Sequence, residues 1–217
     1  MYVPAHFAEH DAERITRFVD DHPLATLVVT VAGRLEAHHL PVLRLDRLEA
    51  GGRLLAHVAR GNPLWRQAEG RVDALLVFVG AGGYVSPSFY ASKAEHHRVV
   101  PTYNYAAVHV HGGLSCSHDE ADKRRAVEML TRRMEASRAQ PWAVADAPDG
   151  YVAKMLGGIV ALSLEIRSIE AKFKASQNKS VADRRGVMLG LREAAGAVPE
   201  SEAADLIEAG LAGRPVR

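Results

Sequence analysis

The chain has 217 residues, 47% of them apolar and 24% charged, with 27 basic against 26 acidic side chains and a formal charge of +1. It is long enough to bury a substantial core without metal or disulfide staples, and its single cysteine, Cys116, excludes an internal disulfide. The near-neutral balance argues against a strongly basic nucleic-acid or membrane-surface binder. The opening Met1-Tyr2-Val3-Pro4-Ala5-His6 has no cationic stretch followed by an apolar run, and nowhere do ~18 uncharged apolar residues follow one another. A cytoplasmic protein without a membrane span is expected.

In chain order, Asp11 is placed to cap a first helix, with Ile15, Phe18 and Val19 on one face and His22-Pro23 as its stop. Leu24 to Val31 is β-branched and almost continuously apolar, the pattern of a strand buried on both faces, and Gly33 turns it into a returning strand, Leu35 to Leu45. Pro41 cannot donate to a ladder, so this second strand lies at an edge or bulges there. Gly51-Gly52 leads into a third strand, Arg53 to Ala59, and a short helix over Leu64 to Glu69 precedes a fourth, Ala74 to Val79. From Gly80 to Pro101 the periodicity stops, which predicts an ordered loop; loops longer than ~12 residues inside compact domains are usually functional. Asn104 to His111 alternates as a fifth strand. Ser117 with Glu120 makes a capping box for a helix from about His118 to Arg138, striped by Val127, Leu130 and Met134. Ile159 to Ile169 is a sixth strand, and beyond Lys179 come helical stretches, including Ala203 to Leu211, with few large apolar residues. About six short strands, the first three joined by Gly-containing turns, predict a mainly β (α+β) fold: a small barrel with helical additions. A doubly wound parallel sheet would need a helix after nearly every strand.

Four segments carry groups suited to binding chemistry. In Ala59-Arg60-Gly61-Asn62-Pro63, Asn62 is a favoured N-cap, Pro63 fits the first helical position and Gly61 allows close backbone approach. With the guanidinium of Arg60, this turn could hold one phosphate; the alternative is a capped helix beside a surface arginine. Tyr84 to Lys93 gathers three aromatic residues, hydroxyls and Lys93, a set that suits a flat phosphorylated heterocycle or, alternatively, a plug that holds a long loop down. Thr102, Asn104, His109 and His111 follow; the two histidines share a strand face roughly 6 to 7 Å apart, as a metal pair or as hydrogen-bonded lining, and no third ligand is evident. No metal site is assigned. After the last strand, Lys172 and Lys174 share a face, and Ser176, Gln177 and Asn178 offer donors and acceptors in succession, either to a ligand or as a solvated basic turn. Cys116, between Ser115 and Ser117, reads as a structural thiol.

Taken together these motifs resemble the PaiB family of FMN-binding transcriptional regulators. The resemblance runs from Met1-Tyr2-Val3-Pro4 through His57-Val58-Ala59-Arg60-Gly61-Asn62-Pro63-Leu64-Trp65, the Tyr84 to Lys93 loop, Pro101 to Tyr105, His109 to Gly112 and Pro141-Trp142, to Lys172 through Asn178. It implies an FMN-binding split β-barrel related to pyridoxamine-phosphate oxidase-like flavoproteins, a homodimer with the flavin near the subunit interface. On that reading residues 1–179 form the flavin-binding domain and 180–217 a helical extension, packed on the surface or frayed. Arg60, Gly61 and Asn62 would serve the FMN phosphate with one or more of Lys93, Lys172 and Lys174, and Thr102, Asn104, Gln177 or Asn178 would lie near the ring edge. Tyr103 and Phe89 stand where the family has Trp, and Ala175 where it has Leu, changes that alter packing rather than remove a polar group. The implied function is a flavin-dependent redox or sensor protein. Two other readings compete: a haem or metal enzyme using the histidines, and a regulator touching DNA through the helix that carries Lys123, Arg124, Arg125, Arg132, Arg133 and Arg138.

Overall fold

The computed structural model describes residues 1–68, 70–194 and 198–211. Glu69, the expected end of the second helix, and the terminal residues 212–217 of the expected extension lie outside that range. Helix α1 (Ala12–Asp21) starts as the sequence predicts: Asp11 accepts the amides of Glu13 and Arg14, and Phe18 and Val19 are buried. Strands β1 (Leu24–Val31) and β2 (Arg34–Pro41) pair antiparallel from Leu24↔Pro41 to Val31↔Arg34. Their two-residue turn has Ala32 at φ 48° and Gly33 at φ 77°, two successive left-handed residues that match the twist of the strands. Contrary to the two-sided burial expected, only Ala25, Leu27 and Val29 of β1 are fully buried and Leu24 is exposed, because an antiparallel strand alternates between core and outside.

The strand that carries Pro41 lies at the sheet edge, as expected of a residue that cannot donate, but Pro41 ends β2 and β3 (Leu43–Arg44) pairs separately with β4 (Arg53–Ala59), so the expected second strand becomes two and the count rises to seven. The sheet order is β2-β1-β5-β6-β7-β4-β3, with β1 antiparallel to β2 and β5, and β4 antiparallel to β3 and β7. The sheet is not closed. Three strands are longer than expected: β5 (Val72–Val85), β6 (Thr102–Ser117) and β7 (Ile159–Lys174). The loop expected from Gly80 therefore begins only after Val85. Glycines within β5 hide this continuation from a hydrophobicity pattern, yet a Cβ on Gly80 would lie 2.5 Å from the Phe18 ring and one on Gly82 2.9 Å from the Tyr103 ring. Lys172 and Lys174 likewise belong to β7 rather than to a turn after it.

Helix α2 (Leu64–Gln67) is a single turn, and α3 (Lys93–His96) another. Helix α4 (Glu120–Glu135) is capped by Asp119, which accepts the amides of Ala121 and Asp122; the expected Ser117–Glu120 box does not form, since Ser117 Oγ donates instead to Asp122 Oδ2 at 2.6 Å. An aspartate one residue before the helix competes better for its amides than a serine three before it. Lys123 and Ala126 are the buried residues of α4, whereas Met134 of the expected stripe is exposed. Helix α5 (Asp149–Gly157) has no counterpart in the expected elements. Helices α6 (Val181–Ala194) and α7 (Val198–Leu211) complete the set, and among the described residues no helix is long and apolar enough to cross a membrane.

The chain divides into two compact units, one of residues 1–22, 79–109 and 170–217, the other of 23–78 and 110–169. In the first, Val187, Leu191, Ala203, Ala204 and Ile207 of α6 and α7 form one buried cluster with Val85, Tyr90 and Ala175, and Phe89 packs against it. The C-terminal helices thus contribute core, and small apolar residues suffice because Ala203 and Ala204 sit where helix meets helix. In the second unit, Leu27, Leu40, Val42, Leu54, Leu76 and Leu114 are buried along the sheet interior, and Val144, Val152 and Leu156 make a smaller cluster.

Candidate functional site

The ten residues singled out as flavin contacts fall into two sets. Seven lie in the first unit: Lys93, Thr102, Asn104, Lys172, Lys174, Gln177 and Asn178. The other three, Arg60, Gly61 and Asn62, lie in the second.

In the first unit the end of β7 and the start of β6 carry most of the polar groups. Lys174 Nζ donates to Thr102 Oγ1 and, at 2.6 Å, to the Tyr103 carbonyl. Two residues back on the same strand face, Lys172 is 9% exposed, with its ammonium 5.1 Å from the centre of the Tyr105 ring and 5.9 Å from that of Tyr2. Among the described residues neither lysine has a carboxylate partner. Aromatic faces partly offset the desolvation of a buried ammonium, but two such charges on one face still repel. Burial, and then the charge of Lys172, hold Lys174 below the ordinary lysine range.

Asn104 is 1% exposed; its Nδ2 donates to Ser176 Oγ at 2.9 Å, while its Oδ1 is buried without a partner. Ser176, itself buried, has φ 59°, a left-handed conformation that a non-glycine residue adopts only where its surroundings hold it. Gln177 is committed to its own backbone, Oε1 accepting the Ala175 amide at 2.7 Å and Nε2 donating to the Phe173 carbonyl. It braces the strand end, and Asn178 beside it is exposed. Lys93 Nζ donates to Ser88 Oγ at 3.1 Å, within a loop fastened by Asp183, whose carboxylate accepts both the amide of Ser92 (2.9 Å) and its hydroxyl (3.0 Å). Those bonds hold the Asp183 carboxyl below the usual range despite its burial.

In the second unit α2 starts one residue later than expected, with Pro63 rather than Asn62 at the N-cap. Asn62 Oδ1 accepts the Leu64 amide at 2.9 Å with Pro63 at helical φ and ψ, although α2 is too short to add a strong dipole. Arg60 is exposed; its amide donates to Gly158 O at 2.8 Å and its Nη1 to Gly157 O at 3.2 Å, while its carbonyl accepts the Trp65 indole. His57 on β4 is held below the ordinary histidine range by burial, which keeps its imidazole neutral at physiological pH. Burial pushes the Cys116 thiol up, in keeping with a structural cysteine. His109 and His111 are both half-buried, as same-face residues of β6 should be.

Residues 1–168 match the family described as "Putative FMN-binding domain". The chain belongs to this family. It is 31% identical over 188 residues to "Protease synthase and sporulation protein PAI 2" of Bacillus subtilis, covering 87% of each sequence, so the PaiB resemblance holds. It is 29% identical over 229 residues to an uncharacterized protein of Emericella nidulans, covering 88% of this chain and 90% of that one. Among solved structures, the FAD and heme binding protein from Mycobacterium smegmatis aligns with a TM-score of 0.58 at 20% identity, over 88% of this chain and 80% of that one. The flavocytochrome Anf3 from Azotobacter vinelandii aligns at 0.56 and 19%, over 80% and 72%. The fold is that of split-barrel flavin-binding proteins, and the family assignment supports FMN as the cofactor.

The donor set fits that group. A phosphate monoester needs clustered cations and hydroxyl donors, which Lys172, Lys174 and Thr102 supply, and an isoalloxazine edge offers an N–H that an unpartnered buried amide oxygen such as that of Asn104 can accept. Sequence reasoning offered Ser176 as a donor or acceptor without identifying its partner Asn104, and it gave Tyr105 and Tyr2 no role at the site. Only the folded strands bring Lys172 over the Tyr105 ring.

Proposed function

We propose that the chain is a cytoplasmic, homodimeric FMN-binding protein that acts as a flavin-dependent redox or sensor protein. Lys172 and Lys174, with Thr102, take the phosphate; Asn104, held by Ser176, faces the ring edge; Lys93 and the loop fastened by Asp183 flank them. Arg60, Gly61 and Asn62 offer a second set of phosphate donors, and Gln177 and Asn178 shape the strand end. The observation that carries this reading is the lysine pair of β7 without a carboxylate partner, beside an amide oxygen without a donor. When bound, FMN supplies the electron-transfer chemistry, and the protein supplies orientation and electrostatics.

Support for direct DNA contact is slight. Of the basic residues on α4, Lys123 is buried and Arg124 lies 3.7 Å from Glu120 and 3.8 Å from Glu128, while just beyond the helix Arg138 lies 3.9 Å from Glu135. A regulatory role would then run through flavin state or a partner protein. The test is the visible spectrum of the purified chain before and after reconstitution with FMN. Flavin bands that bind stoichiometrically, with affinity reduced about tenfold or more in Lys174→Ala, are expected. No flavin in either preparation would overturn the proposal.

A further inference from the structure

The second unit carries a cleft of about 280 Å³ that none of the proposed flavin contacts line. Its floor is one face of three strands: Gly113, Ser115 and Ser117 of β6, Ala161 and Ser163 of β7, and Leu55 of β4. In the β4–β7 ladder Leu55 pairs with Ser163 and Arg53 with Glu165, which puts these side chains on the same side. A sheet face beneath a helix is normally filled by large apolar residues; five of these six are glycine, serine or alanine, and the space remains open. Asp122 and Arg125 of α4 form the wall.

The rim carries three arginines, Arg53, Arg71 and Arg125, and two carboxylates, Asp122 and Glu165. Arg53 Nε donates to Asp46 at 3.0 Å and Arg71 Nη1 to Glu165 at 3.1 Å, so each is oriented by a carboxylate and keeps further N–H donors. Arg125 has no acidic partner among the described residues, and Asp122 is engaged by Ser117. At Gly113 the Arg71 guanidinium lies across β6: a Cβ there would lie 2.0 Å from Arg71 Nε, so a larger residue would push this flexible side chain aside. Guanidinium groups with free donors around a small hollow of mixed polar and apolar lining suit an oxyanion bound through paired N–H···O contacts, and the volume suits a small metabolite rather than a large cofactor.

We propose that this cleft binds a small organic anion bearing a phosphate or carboxylate group, with Arg125 as the principal contact and Arg53 and Arg71 as flanking cations. The test is calorimetric titration of the full chain, with and without FMN, using inorganic phosphate and, separately, citrate, in a zwitterionic buffer. Saturable binding of at least one probe is expected, independent of FMN, weakened at least about fivefold in Arg125→Ala, partly restored in Arg125→Lys and unchanged in Arg185→Ala. Binding of phosphate alone assigns a phosphoryl ligand, and of citrate alone a carboxylate. If Arg125→Ala does not fold, Ser163→Leu, which fills the floor, must abolish binding. Absence of binding by both probes at millimolar concentration overturns the proposal, as does competition by FMN, full affinity in Arg125→Ala or Ser163→Leu, or a shift of Arg125→Ala from dimer to monomer without change in anion binding.

Discussion

Asn104 is a buried amide with half of its hydrogen-bonding capacity unused, and an unmet buried acceptor costs about 1–3 kcal/mol. Lys174, two residues from Lys172 on the same face, is the other uncomfortable group. Its folded pKa lies below the unfolded one, because burial and a like charge disfavour the ammonium. The unfolded chain therefore holds more protons between the two values, so this residue's contribution to stability rises with pH through that window and falls again as pH drops through the folded pKa. Bound phosphate reverses the balance, since it favours the charged ammonium and draws a proton in. FMN affinity should accordingly fall as pH rises below the ordinary lysine range, and Lys174→Arg, which does not titrate there, should flatten the decline. Fluorescence titrations of FMN across the mildly alkaline range check this; a wild-type profile no steeper than that of the arginine variant would contradict it.

Among the elements, the cap of α4 separates two readings of one sequence. Ser117 and Glu120 have capping-box spacing, but Asp119 makes the bonds to the first-turn amides, at 2.7 Å from Ala121 N and 3.3 Å from Asp122 N. Asp119→Ala should cost about 1 kcal/mol in urea unfolding and Ser117→Ala clearly less; equal costs would return the cap to the serine. The strands show how far a pattern reaches. The cores of β1, β4, β5, β6 and β7 were legible from β-branched and alternating residues, and so was the edge position of the strand that carries Pro41, but its break there and the strand ends were not. Gly80 and Gly82 read as loop because their small size answers to Phe18 and Tyr103, neighbours remote in sequence. Lys172 and Lys174 were placed beyond the last strand, with a solvated turn as the alternative to a ligand site, whereas here both lie in β7 with their ammonium groups over aromatic rings. The residue types of the candidate site were therefore visible, and their partners, Ser176 for Asn104 and the Tyr103 carbonyl for Lys174, were not.

At the scale of the whole chain, the least foreseen feature is the weight carried by the C-terminal helices. Leu191 is fully buried in the cluster that also holds Val85, Tyr90 and Ile207. Leu191→Ala should cost about 2–5 kcal/mol, read as a lower denaturant midpoint, as a core truncation does; a cost near zero would instead describe a loosely attached tail. Phe89 and Ala175, two of the three positions that differ from the family pattern, touch this cluster, while Tyr103, 55% exposed, packs its ring against Gly82 of β5.

The fastening of Ser92 by Asp183 spans 91 positions of sequence. A chain emerging from the ribosome therefore displays the aromatic loop long before its clasp is made. Contacts of such separation form late, so the segment that ends in Lys93 stays open to chaperones and proteases until synthesis has passed α6, and the first unit can reach its native arrangement only then.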